Sequence, residues 1–376
     1  MAIFFDNNST TPLNACVLEA MMPYLTEFYA NPSSIHTAGR KARDAIEAAR
    51  EQVADLIQSH PSQVIFTSGG TEANNLAIRG TVCGMGLDSI AVSAIEHPSV
   101  RDVVFSLQKQ LSVQELDANS IGQISLDSVA KFIESNRNFL MSVMLANNET
   151  GCIQPVPAIA EMVRSSAGIM HTDAVQAAGK IDVNFEKLGV HMMTLSSHKI
   201  YGPKGAGALI YDKAIDIAPL IFGGGQEKKL RSGTENVAAI VGFGQAAELA
   251  KEKLKENYDY LLALRARFET QLKDIPDIVL FGDKSERLPN TTFFSLKGID
   301  GETLLMQLDT QGIEVASGSA CGSNNLKPSH VLAAMGIDET LAKGAIRVSF
   351  GLQNTPQEVD ELIDFLKKMT NISTSH

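Results

Sequence analysis

Residues 191–199 read HMMTLSSHK, a short apolar run that passes directly into two serines, a histidine and a lysine. The chain has further runs of this form, in which a few apolar residues precede polar residues or glycines: QVIFTSG (63–69), SIAVSAIEHP (89–98), FLMSVMLANNETG (139–151), GIMHTDAVQ (168–176) and GAGALIYD (205–212). Helical patterns separate the runs. Apolar strands that alternate with helices are typical of a mostly parallel sheet covered on both faces. We therefore predict an α/β fold.

The polar ends of these runs predict a single site. In open α/β sheets, ligands bind in the crevice outside the carboxyl ends of the strands. Residues that follow different strands are then expected to lie together, although they are distant in the chain. Upstream of the first strand, apolar residues between 38 and 59 recur at helical spacing and predict one of the covering helices.

The pattern changes after about residue 255, where a long charged helical stretch leads into short strand-like runs. In the run AIRVSFG (345–351), apolar residues alternate with Arg347 and Ser349, so Arg347 is expected on the face opposite the apolar residues. A final helix is predicted to begin at Pro356, because a capping threonine precedes the proline and a glutamate follows it.

This change of pattern predicts two domains. We expect a large domain at residues 15–255, and a smaller α+β domain formed by residues 1–14 and 256–376.

Composition excludes several classes of protein. Lys and Arg number 32 against 43 Asp and Glu, a net charge of -11, which argues against nucleic acid as a direct partner. We expect no secretory signal and no membrane span, since an acidic residue comes early and no apolar run of about 18 residues occurs. Cys16, Cys83, Cys152 and Cys321 form no CxxC pair, so we predict no disulfide framework and no metal site. A reducing cytoplasm is the expected location.

Three of the strand ends carry residues with clear chemical potential. Lys199 follows an apolar strand, and a partly desolvated lysine can form a Schiff base, although an arbitrary loop lysine is simply solvated. Gly69, Gly70 and Thr71 stand between a strand and a helix, where they form either a phosphate cradle or an ordinary helix cap. Asp173 could pair with the ring nitrogen of pyridoxal phosphate, or cap a helix.

Other polar residues are expected at the same edge of the sheet. Gln176 comes three residues after Asp173 and shares its side if a helical turn begins there. His97 and Asn148 follow two further strands, although a lone histidine is more often structural. Together with Lys199, these are the parts of a pyridoxal phosphate enzyme.

Ten segments together resemble the cysteine desulfurases of the NifS/IscS type, in the class V aminotransferase family. These segments match in order and spacing and span essentially the whole chain: DNNSTTP, NPSSIH, TSGGTEANN, EHPSV, NNETG, TDAVQAAGK, SSHKIYGPKG, GGGQEKKLRSGTEN, SGSACGS and IRVSFG. The resemblance implies the fold type I of pyridoxal 5'-phosphate (PLP) transferases, with a mostly parallel seven-stranded sheet flanked by helices and a smaller α+β domain.

The resemblance also implies the reaction and its catalytic residues. Lys199 would bind the cofactor PLP and remove the Cα proton of L-cysteine, and His97 would stack on the ring and transfer protons. Cys321 would take the sulfur as a persulfide, releasing L-alanine, and pass it to an acceptor protein for iron–sulfur cluster assembly or thiolation. The Gly/Ser/Asn setting of Cys321 predicts a mobile segment that reaches both the cleft and the acceptor.

Further positions would bind the cofactor and the substrate. The implied cofactor contacts, besides His97 and Lys199, are Gly70, Thr71, Asn148, Asp173, Gln176, Ser196, His198 and Thr234. Thr234 would reach the phosphate of a neighbouring subunit, which implies a homodimer. Arg347 would clamp the substrate carboxylate, with Asn31 and Asn148 nearby.

The chain departs from the family pattern at a few loop positions, and alternatives remain. Ser9, Gly70, the pair Lys228 and Lys229, and Gly322 replace residues that are more usual in the family. None of these changes removes a group that the reaction needs. Selenocysteine lyase activity, another PLP lyase or aminotransferase activity, and a non-catalytic scaffold are the competing hypotheses.

Overall fold

The protein is described by a computed structural model that covers residues 2–317 and 328–373. The strands are β1 (Ile3–Phe4), β2 (Val64–Thr67), β3 (Ser89–Ser93), β4 (Ser112–Leu116), β5 (Phe139–Ser142), β6 (Ile169–Asp173), β7 (Met192–Ser196), β8 (Gly207–Tyr211), β9 (Ile278–Phe281), β10 (Thr291–Leu296), β11 (Ile313–Glu314), β12 (Ala316–Ser317) and β13 (Ala345–Ser349).

Helices connect and cover these strands. They are α1 (Ala15–Thr26), α2 (Thr37–Leu56), α3 (Gly70–Asn75), α4 (Thr81–Met85), α5 (Pro98–Ser106), α6 (Leu126–Ser135), α7 (Val156–Ser165), α8 (Phe185–Leu188), α9 (Val237–Glu252), α10 (Leu254–Leu272), α11 (Gly301–Thr310), α12 (His330–Ala334), α13 (Glu339–Lys343) and α14 (Pro356–Ser373). A π-helical turn at Leu76–Gly80 joins α3 to α4, and short 3-10 helices lie at Pro61–Gln63, Ser197–Lys199 and Glu227–Lys229. Within the described ranges, no helix is long and apolar enough to cross a membrane.

The main sheet has seven strands in the order β2-β8-β7-β6-β5-β3-β4. Its strands pair in parallel except for β8, which is antiparallel to both β2 and β7. Side chains of β2 alternate between two clusters, with Val64 and Phe66 in one and Ile65 in the other. Helices therefore cover both faces, and the prediction of a mostly parallel α/β sheet is confirmed.

A second sheet, of four strands, is antiparallel and has the order β12-β13-β10-β9. Ile346 and Val348 of β13 are buried in its core, whereas Arg347 is only partly buried, so the predicted alternation is present. The N-terminal arm joins this part of the molecule, because β1 pairs with β11 and Asp6 forms a bridge with Ser349.

The apolar cores do not divide the chain cleanly. Phe293 and Leu332, which follow residue 255, pack in the cluster beneath the main sheet. A separate cluster fills the C-terminal part and includes Phe5 of the arm. The two-domain division at residue 255 stays a prediction.

Two helix ends illustrate how local sequence sets the elements. At the start of α14, the Thr355 amide donates to Glu358 Oε2 at 2.9 Å and the Glu358 amide donates to Thr355 Oγ1 at 3.3 Å, which is the predicted capping box. Helix α2 ends at Leu56 rather than near residue 59, because Gln58 adopts a positive φ of 53° that cannot continue a helix.

Candidate active site

The carboxyl ends of the parallel strands meet at a cavity of about 290 Å³. Each strand delivers polar residues to it, as the sequence pattern predicts. Nine of the predicted cofactor residues line this cavity, namely Gly70, Thr71, His97, Asn148, Asp173, Gln176, Ser196, His198 and Lys199.

Lys199 ends the 3-10 helix that follows β7, and its side chain enters the cavity. Its Nζ donates to the backbone carbonyls of Asn8 and Ser9, at 2.5 Å in each case. Burial lowers the pKa of Lys199 to about 8; nearby Arg347 lowers it further, and the acidic groups of the site partly oppose this. The site therefore favours the unprotonated, nucleophilic amine more than water does.

A second group of residues forms a cradle at the start of α3. Gly69 precedes the helix with a φ of 152°, which only glycine adopts readily, and Gly207 of β8 packs directly against it. A Cβ on Gly207 would lie 2.5 Å from the Gly69 carbonyl carbon, so this approach requires glycine. Thr71 lies inside α3 and not at its N-cap, which removes the alternative of an ordinary threonine cap.

Two side chains complete the cradle, one at the end of β7 and one in the 3-10 helix that follows it. The Ser196 hydroxyl is buried and bonds to no group in the described parts of the chain. His198 bonds to the Thr10 hydroxyl at 3.1 Å, and burial, with nearby lysines, lowers its pKa to about 4. A buried hydroxyl without a partner, beside free helix N–H groups, fits a bound phosphate.

Asp173 and Gln176 lie on the neighbouring side of the cavity. Asp173 is the last residue of β6; its Oδ1 accepts from the Val175 amide at 2.9 Å and its Oδ2 accepts from Asn74 Nδ2 at 2.8 Å. Gln176 donates through Nε2 to the Asn8 carbonyl at 2.9 Å, and its Oε1 accepts from Lys180 Nζ at 3.3 Å. Both side chains are thus held in fixed orientations.

His97 caps α5 and also lines the cavity. Its Nδ1 lies 2.8 Å from Ser99 Oγ and accepts from the Ser99 amide at 3.1 Å. Burial lowers the pKa of His97, with Asp173 opposing the shift and Lys199 adding to it. The imidazole is therefore held in its neutral form near pH 7.

Arg347 reaches the site from β13. Its Nη2 donates to Asp6 Oδ1 at 2.6 Å and its Nη1 donates to the Asn148 carbonyl at 3.1 Å. Its Nε is buried and has no hydrogen-bond partner among the described residues. The two bonds fix the plane of a guanidinium group at the edge of the site.

Comparison with known proteins identifies the family. Residues 3–362 match the model of aminotransferase class-V. This chain belongs to the class-V aminotransferase family. It is 42% identical over 371 residues to cysteine desulfurase IscS of Dictyoglomus turgidum, covering 98% of this chain and 94% of that protein. It is 43% identical over 370 residues to a cysteine desulfurase of Nostoc sp., covering 98% of this chain and 92% of that protein.

A solved structure agrees with this assignment to the class-V family. A NifS-like protein, 36% identical in sequence, superposes with a TM-score of 0.92 over 99% of this chain and 100% of that one. The fold is therefore the PLP fold type I of NifS-like proteins, as the sequence resemblance predicts.

Of the residues expected from the class-V resemblance, Asn31, Thr234 and Arg347 do not line the cavity in the described chain, although Arg347 bonds to the carbonyl of Asn148, which does. Asn31 is exposed and its Oδ1 accepts from the Ser33 amide at 2.8 Å. Thr234 is also exposed and does not line the cavity. Cys321 lies outside the described residues, and its predicted mobile segment does too.

Several contacting residues are absent from the sequence-predicted set. Asn8 provides the carbonyl that binds both Lys199 and Gln176, and Asn74 bonds to Asp173. Asn74 follows Thr71 by three residues on a helix, and this spacing could have indicated it. Asn8 acts through its backbone, which carries no residue-specific signal.

Proposed function

We propose that this chain is a cysteine desulfurase that uses PLP bound at Lys199. The reaction converts L-cysteine and the Cys321 thiol into L-alanine and a Cys321 persulfide, so the substrate C–S bond breaks and an S–S bond forms. One observation carries the proposal: distant strand ends bring Lys199, Asp173, His97 and the phosphate cradle to one cavity. The names of the class-V relatives support the same activity.

The residues at the cavity fit the cofactor. The amides at the start of α3 and the partnerless Ser196 hydroxyl would hold its phosphate, with His198 beside them. Each Asp173 oxygen accepts one hydrogen bond and has a second lone pair that could accept from a ring N–H, and Gln176 Nε2 has a second hydrogen that could go to the phenolic oxygen. When bound, PLP supplies an electron sink for the bonds at the substrate Cα.

Lys199 and Arg347 perform the steps nearest to the substrate. Lys199, with a pKa of about 8, provides an amine that attaches the cofactor and then removes the Cα proton. Arg347 binds the substrate carboxylate, and its bonds to Asp6 and the Asn148 carbonyl set its orientation beforehand. Cys321, as thiolate, attacks the sulfur of the bound substrate.

We also propose that the chain acts as a homodimer. Tyr29, Ile35 and Phe222 are exposed by 88%, 86% and 81% in the single chain, which is unusual for large apolar side chains. Thr234 is exposed as well and lies twelve residues after Phe222. A second copy that covered these side chains could also bring its Thr234 to the phosphate cradle.

We further propose a sulfur acceptor and a location for the protein. Transfer of sulfur from a persulfide needs a protein with an accepting thiol, and an iron–sulfur scaffold or a thiolating enzyme meets that need. Cys16 and Cys83 are exposed free thiols, which suits the reducing cytoplasm.

The decisive experiment is turnover of L-cysteine by the PLP-loaded chain. We expect alanine in equal amount to sulfur released, and a mass increase of one sulfur atom on the peptide that contains Cys321. Cys321→Ser should abolish the adduct and turnover, whereas the exposed-thiol controls Cys16→Ser and Cys83→Ser should retain both. Full turnover by Cys321→Ser would refute the mechanism, and higher turnover with selenocysteine than with cysteine would favour a selenocysteine lyase.

A further inference from the structure

The Asn74 side chain connects two parts of the site that the proposed reaction uses separately. Its Nδ2 donates to Asp173 Oδ2 at 2.8 Å and to Ser99 Oγ at 2.9 Å. A carboxylate only accepts hydrogen bonds, so the nitrogen of the amide must face Asp173. Both hydrogens of the amide are then committed, one to each partner.

The contacts of Ser99 then fix which of its groups donate and which accept hydrogen bonds. Its backbone N–H, which can only donate, points at His97 Nδ1 at 3.1 Å. That ring nitrogen therefore carries no proton. The Ser99 hydroxyl accepts from Asn74 and donates its own hydrogen to the same Nδ1 across 2.8 Å.

The ring of His97 is consequently neutral and carries its proton on Nε2. Nε2 has no hydrogen-bond partner in the part of the chain that the structure describes, and His97 lines the cavity. The titratable groups that face the ring are Asp102, Asp173, Lys199 and His330. Protonation at Nδ1 would break the bond from the Ser99 amide, and this adds to the burial that lowers the pKa of His97.

We propose that Asn74 and Ser99 are positioning residues that hold His97 as the Nε2–H tautomer. In this form, His97 donates a hydrogen bond from Nε2 to an anionic atom of the substrate. The idea rests on the proposed function, in which an amino acid with a carboxylate and a thiol occupies the cavity. A neutral imidazole that donates from one fixed nitrogen polarises such an atom without first taking up a proton. His97 in this state cannot act as a base through Nε2, because that nitrogen already carries hydrogen.

The first test reads the tautomer directly in the full-length chain. NMR of protein labelled with 15N-histidine, with and without PLP, should show one His97 signal pair in which Nε2 is protonated and Nδ1 is not. His97→Gln assigns the signals by their loss. A protonated Nδ1 near neutral pH, with or without PLP, would overturn the proposal.

The second test removes the Ser99 hydroxyl. Ser99→Ala should raise the pKa of His97 by about half to one unit, because a bond to the neutral ring is lost. It should also lower kcat about tenfold, as loss of a positioning contact typically does. Ser99→Thr, which keeps a hydroxyl, should restore both values. The matched control is Ser62→Ala, since Ser62 makes the same two contacts to the surface residue His60.

A third variant addresses the link to Asp173. Asn74→Ala should lower kcat, as Ser99→Ala does. Asn75→Ala, on the adjacent asparagine whose side chain bonds to the Thr71 carbonyl, should change kcat less than twofold. Unchanged kcat and His97 pKa in both Ser99→Ala and Asn74→Ala would refute the positioning role. An unaltered chain without desulfurase activity would instead refute the proposed function, and the NMR result would still stand.

Discussion

The tripeptide His-Pro-Ser occurs twice in this chain, at residues 60–62 and 97–99, and both copies fold alike. In each, the histidine caps a helix, proline takes the first helical position, and histidine Nδ1 accepts from the serine amide at 3.1 Å. The serine hydroxyl lies 2.6 Å from Nδ1 in the first copy and 2.8 Å in the second. The local sequence therefore determines the same helix cap in both places.

The copies differ in what distant residues contribute. His60 lies at the surface, where the Gln63 side chain completes a local capping box. His97 faces the cavity with Asp173 and Lys199, and its serine accepts a further bond from Asn74. His97 is therefore a candidate catalytic group because of the residues that surround it in the fold, and not because of the His-Pro-Ser motif itself.

The largest predicted difference concerns activity. His97→Ala should reduce kcat/KM for L-cysteine by about 10²- to 10³-fold, because a hydrogen-bond donor to the reacting atoms is lost. His60→Ala removes an identical cap far from the cavity and should stay within about twofold of the unaltered chain. Steady-state alanine production measures both, and equal losses in the two variants would show that only the cap matters.

A smaller difference is expected in pH dependence. The copy of the motif at residues 97–99 lines the cavity that also contains Lys199. Because the pKa of Lys199 is about 8, its amine loses a proton between pH 7 and 9. Binding of PLP by the cofactor-free chain should accelerate over this range and level off above it, because only the unprotonated amine attacks an aldehyde. Stopped-flow absorbance measures the rate. A rate that still climbs steeply up to the ordinary lysine pKa would contradict the burial effect.

The smallest effect should be common to both copies. Loss of a helix N-cap costs about 0.5–2 kcal/mol, so His60→Ala and His97→Ala should lower the free energy of unfolding by similar amounts. Urea unfolding followed by circular dichroism measures the shift. Similar losses of unfolding free energy combined with unequal activities would separate the structural role of the motif from its chemical role. A loss in only one variant would show that the two caps do not stabilise the protein equally.

Sequence could predict those site residues that stand at strand ends. Asp173 and Lys199 end apolar runs, and the rule for open α/β sheets brings such residues together. This rule does not predict Asn74, because Asn74 lies within a helix. It does not predict Asn8 either, because Asn8 acts through its backbone carbonyl, which every residue has. Asn31 and Thr234 lie away from the cavity in the single chain. The proposed second copy would bring Thr234 to the cradle, and the hydrophobic periodicity of one sequence contains no information about such a copy.

The N-terminal arm affects when the active site can be completed during synthesis of the chain. Asn8 precedes two of its hydrogen-bond partners, Ser349 and Thr291, by 341 and 283 residues, so it is synthesised well before them. The Asn8 backbone, whose carbonyl accepts from Lys199, therefore gains its full set of hydrogen bonds only after residue 349 has been synthesised. Such long-range closure slows folding and delays completion of the site. A nascent chain truncated before residue 349 should already contain Lys199 and still be unable to complete its surroundings.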